Sequence, residues 1–143
     1  MRSIHILLIE DNEGDILLTK EALLDGKVIN EISVVRDGEE ALDFLNKTGK
    51  YTDVEFPDLI LLDVNLPKKN GHEVLQFVKT SEHIKHIPVI MLTTSSSQQD
   101  IKLSYSNHAN CYITKPVEAD NFMHVVAGIE SFWISIVKLP STN

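Results

Sequence analysis

Glu10, Asp11, Asp63, Thr93 and Lys115 are the residues of this 143-residue chain whose types could do chemistry together, because each stands at or just past the end of a short apolar run. Glu10 and Asp11 follow Ile4 to Ile9, Asp63 follows Leu59 to Leu62, Thr93 follows Val89 to Leu92, and Lys115 lies just past Cys111 to Ile113. Three carboxylates gathered at one point repel strongly. Such a cluster makes physical sense only if a hard cation or a lysine compensates it, and both are available here. Magnesium keeps several waters and typically takes one or two carboxylates plus a phosphate, which fits Asp11 and Asp63 as direct ligands with Glu10 holding a coordinated water. A carboxylate attacking phosphorus must overcome charge repulsion. The cation and Lys115 would neutralise oxygens of both reactants while Thr93 donates a hydrogen bond to the transferred group. The chemistry expected is acceptance of a phosphoryl group on Asp63, driven by positioning and electrostatics.

These side chains converge only if the elements that carry them end at one edge. The runs Ile4 to Ile9, Ile32 to Val35, Leu59 to Leu62, Val89 to Leu92 and, more weakly, Cys111 to Ile113 read as strands. The first, third and fourth are almost continuously apolar, as expected of strands covered on both faces by helices in a parallel sheet. The intervals between them open with helix-start signals: Asn12 to Asp15, Asp37 to Glu40, Asn70 to Glu73 and Ser95 to Gln98 each set a capping side chain three residues before an acid or amide. The spacing predicts helices over 13–25, 38–46, 71–79 and 96–107. A fifth follows Lys115-Pro116, where Phe122, Val125, Val126, Ile129, Phe132, Trp133 and Ile136 recur at three- and four-residue steps. Strict β-α alternation, repeated five times, implies an α/β fold with a doubly wound five-stranded parallel sheet and five helices. In such sheets ligands bind beyond the C-terminal ends of the strands, where strand order reverses. The polar stretch Asn46 to Glu55 reads as a long surface loop, not a domain boundary.

Composition limits the alternatives. A chain of 143 residues with 43% hydrophobic content suits one domain over residues 1–143. No apolar run reaches the roughly 18 residues of a membrane span and no signal peptide is visible, so a cytoplasmic protein is expected. A single cysteine, Cys111, excludes an intramolecular disulfide and reads as core filler. The formal net charge of −8 disfavours direct nucleic-acid binding. The six histidines are scattered without metal-ligand spacing and receive no role.

The contexts Leu7-Leu8-Ile9-Glu10-Asp11-Asn12, Leu61-Leu62-Asp63-Val64-Asn65-Leu66-Pro67 with Gly71 following, Leu92-Thr93-Thr94 and Tyr112-Ile113-Thr114-Lys115-Pro116 closely resemble the receiver domains of two-component response regulators. The resemblance extends over about residues 4 to 138. It implies the flavodoxin-like strand order 2-1-3-4-5, Asp63 as phosphoacceptor, and Glu10 and Asp11 as the acidic pair. It also implies the backbone carbonyl of Asn65 as a further metal ligand, Lys115 and Thr93 on the phosphoryl group, Tyr112 at the switch-aromatic position, and a cis peptide at Lys115-Pro116. The metal would be Mg2+, with Mn2+ or Ca2+ able to substitute. Thr94 stands where the family often has a smaller residue. Glu10-Asp11-Asn12-Glu13-Gly14-Asp15, Leu92-Thr93-Thr94-Ser95, Ala109-Asn110-Cys111-Tyr112 and the terminal Phe132-Trp133 with Leu139-Pro140 look, more narrowly, like the stand-alone receivers that partner bacterial and cyanobacterial phytochrome kinases.

The expectation is therefore a phosphorylated signalling switch without an output domain, whose partner is a sensor histidine kinase of the phytochrome kind. The extra apolar surface of the last helix (Met123, Ala127, Ile134, Val137) invites a homodimer through the fourth and fifth helices and the fifth strand. A phosphoester hydrolase is the main rival, yet aspartate-dependent phosphatases need a second acid two residues after the nucleophile, and Asn65 sits there. A pure interaction module would not need every site residue. A nucleotide-binding protein would need a glycine-rich turn after the first strand, where Glu10-Asp11 stands instead.

Overall fold

The computed structural model describes residues 4–25, 31–93 and 111–127. In chain order these form β1 (His5–Ile9), α1 (Glu13–Asp25), β2 (Glu31–Val35), α2 (Gly38–Asn46), a single 3-10 turn (Gly49–Tyr51), β3 (Leu59–Asp63), α3 (Gly71–Thr80), β4 (Val89–Thr93), β5 (Cys111–Thr114) and α4 (Ala119–Ala127). All strand pairings are parallel, and the sheet order is β2-β1-β3-β4-β5. This is the doubly wound order that the resemblance implied. Ser95 to Gln98, the helix expected over 96–107 and the part of the last helix beyond Ala127 lie outside the described residues, as does most of the surface expected to form a dimer. Among the described residues no helix is long and apolar enough to cross a membrane.

The helices begin where the capping side chains are. Asp37 accepts from the Glu40 amide at 2.8 Å, and Asn70 and Glu73 form a reciprocal capping box in which each side chain bonds the other's backbone amide. Asn12 Oδ1 accepts from the Asp15 amide at 2.9 Å in the first turn of α1. Strands β1, β3 and β4 are buried along their whole length, and the period of two along a strand divides their side chains between two cores. Leu7, Ile9, Ile60, Leu62 and Met91 pack with Phe44, Leu45, Val74, Leu75 and Val78 of α2 and α3. Ile6, Leu8, Leu59, Leu61, Ile90, Leu92 and Ile113 face Ile16 and Leu23 of α1 and Phe122 of α4 on the other side.

The segment read as a long surface loop, Asn46 to Glu55, does lie on the surface, and it contains a 3-10 turn that anchors it. Its 3-10 turn sets the Tyr51 ring 5.1 Å from that of Phe44 and its hydroxyl, donating, 2.8 Å from Glu40 Oε2. Together with the Lys50–Glu40 ion pair and the Thr48–Asp43 hydrogen bond, this aromatic residue, with an apolar face and a polar tip, ties the segment to α2.

The consequence for function is topological. Chain connectivity runs outward from β1 to β2, then back across to β3, so β1 and β3 are neighbours whose following helices lie on opposite faces. The crevice left at their C-terminal ends is where Glu10 and Asp63 emerge.

Candidate functional site

Each site residue is held by the end of its strand. Glu10 extends β1 by one residue, its amide bonded to the Val35 carbonyl at 3.0 Å, and its side chain is fully buried. The Asn12 amide donates to Glu10 Oε2 at 3.2 Å. Asp11 faces solvent next to it. Asp63 closes β3 with a nearly buried carboxylate whose Oδ1 accepts from the Asn65 amide at 3.2 Å. Thr93 closes β4 and is buried; because Asp63 pairs with Leu92 across the sheet, Thr93 stands one residue farther toward the same edge. Tyr112 of β5 is half-buried against the core shared with α2 and α3.

Lys115 reaches back from just beyond β5. Its amide bonds the Thr93 carbonyl at 2.7 Å, the peptide to Pro116 is cis, as the resemblance implied, and only 8% of its side chain is exposed. The ammonium lies 2.6 Å from Glu10 Oε1, 3.1 Å from Asp15 Oδ2 and 3.3 Å from Asp63 Oδ1. All five residues that sequence spacing singled out therefore come to one edge. Asp15 is the addition: its place in the helix-start pattern was legible, its ion pair was not. No local signal pointed to it, because the contact joins residues 100 positions apart in sequence.

The donor set suits a hard divalent cation. Glu10, Asp11 and Asp63 each offer a carboxylate oxygen, and these oxygens all lie within 4.8 Å of one another. Glu10 Oε1 is buried and makes no hydrogen bond, its contact with Lys115 being an ion pair without hydrogen-bond angles. One ammonium against four carboxylates leaves a deficit of positive charge that oxygen-ligated Mg2+ or Mn2+ would fill.

A family model, the response regulator receiver domain, matches residues 6–127. The chain belongs to the response regulator receiver family. This receiver is 45% identical over 136 residues to Response regulator Rcp1 of Synechocystis sp., a match covering 95% of this chain and 92% of that protein. Among solved structures, the phosphorylated cyanobacterial phytochrome response regulator RcpA is similar at a TM-score of 0.79 and 48% identity, covering 94% of the receiver and 96% of RcpA. The Mn(2+)-bound form of Rcp1 is similar at a TM-score of 0.76 and 45% identity, with 91% of the receiver and 94% of that chain covered.

Burial pushes the Glu10 carboxyl of the receiver up to about 7, against the lowering effect of Lys115 and the Asn12 amide and with a further upward push from Asp63. Burial likewise works against the Lys115 ammonium, but Glu10, Asp15 and Asp63 outweigh it and hold the group above its ordinary value. Because the folded protein keeps the Glu10 proton to higher pH than the unfolded chain, folding is favoured most below the ordinary glutamate range. That advantage declines as pH rises toward about 7. In metal-free buffer, stability measured by urea denaturation should fall over this window by on the order of 2 kcal/mol. Glu10→Gln should flatten the slope, and a slope that survives this substitution would assign the effect to other groups.

Proposed function

We propose that this receiver is a single-domain response regulator that accepts a phosphoryl group on Asp63 from a sensor histidine kinase of the phytochrome class, in a Mg2+-dependent reaction. The observation that carries the reading is the nest around Lys115, whose ammonium lies 3.3 Å from Asp63 and 2.6 Å from Glu10 at the β1–β3 crevice. In the transfer an oxygen of Asp63 forms a bond to phosphorus, opposite the phosphohistidine nitrogen. The P–N bond breaks as it forms, and the electron pair leaves with the imidazole, which takes up a proton from solvent. Lys115 lies where it can neutralise oxygens of the incoming group, and the Thr93 hydroxyl donates to one of them. Glu10, Asp11, Asp63 and the carbonyl of Asn65 would hold the divalent cation. Once bound, it supplies the positive charge that lets a carboxylate approach a phosphoryl group.

Reaction chemistry of this kind is limited to the protein's own phosphorylation and dephosphorylation, so the product is a signal. Phosphorylation changes charge at the ends of β3 and β4, and Thr93 and Tyr112 couple that change to a protein-binding surface. Two similarities support the phytochrome and metal readings: RcpA is a cyanobacterial phytochrome response regulator, and the Rcp1 structure carries Mn2+.

Incubation with acetyl phosphate or phosphoramidate, with and without Mg2+, followed by intact mass, tests the reaction. One added phosphoryl group is expected with Mg2+ and essentially none without it. Unmodified protein under both conditions would defeat the proposal. An autophosphorylated phytochrome kinase should transfer faster than an unrelated histidine kinase, and equal rates would remove the phytochrome assignment.

A further inference from the structure

Lys115 carries three N–H donors and is surrounded by three carboxylates, but these contacts differ in kind. Asp15 Oδ2, at 3.1 Å, makes a hydrogen bond with the ammonium, whereas the contacts to Glu10 and Asp63 are ion pairs without hydrogen-bond angles. An ion pair attracts from any direction; a hydrogen bond aims the donor. Asp15, on the first turn of α1 and 100 residues away in sequence, is thus the carboxylate that meets this ammonium along a hydrogen-bond direction, while Glu10 at 2.6 Å is the nearer charge.

We propose, building on the phosphoacceptor reading of Asp63, that Asp15 is a positioning residue that aims Lys115 at the phosphoryl group. When Asp63 becomes an acyl phosphate its carboxylate charge gives way to that of the phosphoryl group, and the ammonium that paired with the carboxylate turns to a phosphoryl oxygen. Asp15 keeps its hydrogen bond and Glu10 its close ion pair, so the ammonium need not reorganise during transfer. Asp15 is well placed for this work because its own position does not depend on the lysine. Its amide is bonded to Asn12 Oδ1 at 2.9 Å, a backbone contact that substitution of its side chain leaves intact. With 30% of the side chain exposed, it can also be replaced without opening a core cavity.

The prediction separates aim from charge. Asp15→Asn keeps an acceptor for the Lys115 N–H but removes the charge; Asp15→Ala removes both. With phosphoramidate and saturating Mg2+, Asp15→Ala should phosphorylate about tenfold more slowly than the wild type, and Asp15→Asn within about twofold of it. In the Lys115→Ala background, where there is no ammonium to aim, Asp15→Ala should have no further effect on the slow residual rate read by intact mass. A wild-type rate for Asp15→Ala, a faster rate for both variants, or an undiminished loss in the Lys115→Ala background would each overturn the role. The wild type serves as the control for the parent reading: if it takes up no phosphoryl group, the failure lies with Asp63 and not with Asp15.

Discussion

Asp63→Asn is expected to lose phosphorylation by at least about a thousandfold and, in the absence of divalent metal, to be more stable than the wild type by about 1 kcal/mol. The loss follows from nucleophilicity, since a neutral amide does not attack phosphorus as a carboxylate does. The gain follows from crowding. Asp63 is nearly buried beside Glu10, and its charge is one of the influences that raise the Glu10 carboxyl to about 7. An asparagine keeps an oxygen for the Asn65 amide, now 3.2 Å from Asp63 Oδ1, and removes one of the charges that repel. Lys115 retains Glu10 at 2.6 Å and Asp15 at 3.1 Å. Intact mass after phosphoramidate treatment reads the first effect and urea denaturation in chelator reads the second. Comparable phosphoryl uptake by the variant would move the acceptor elsewhere, and a lower denaturation midpoint would mean that the acidic cluster is not strained.

Gly71→Ala should destabilise the fold by about 3 kcal/mol and slow phosphorylation at the same time. Gly71 starts α3, and its amide bonds the Val64 carbonyl at 2.9 Å. A methyl group there would overlap the backbone carbonyl of Asp63, with Val64 Cα 2.8 Å away. Neither neighbour can give way easily. Asp63 is the last residue of a fully buried central strand, and the Val64 amide is itself bonded to the Leu92 carbonyl at 2.9 Å. The strand end must move to admit the methyl group, and with it the carboxylate that takes the phosphoryl group. Thermal or urea denaturation, with phosphorylation measured on the folded fraction, checks both effects. A variant with wild-type stability would show that the β3–α3 turn can shift, and one that is unstable but phosphorylates normally would uncouple the turn from the site.

Much of this protein was decided locally. The alternation of apolar runs with capped helices placed β1, β3 and β4 within a residue at each end, and α1 and α2 at their observed bounds, because periodicity and capping act over a few neighbouring residues. The identity of the acids, the hydroxyl and the lysine at the strand ends came from the same reading. The ordered Asn46 to Glu55 segment escaped it because Tyr51 is held there by contact with α2 and not by its neighbours. The turn residues of that segment carry no such information.

What the sequence determined by itself, then, was which element each residue belongs to and which reactive groups end those elements. The tertiary structure decided which of those groups meet. Placing β1 beside β3 brings Glu10 to Asp63, and the reach of Lys115 across the sheet edge selects Asp15, a residue that locally was only part of a helix start. The physical reason is range: hydrogen-bonded turns and side-chain periodicity are set within a few residues. An ion pair between residues 100 positions apart exists only after the sheet has assembled in one order.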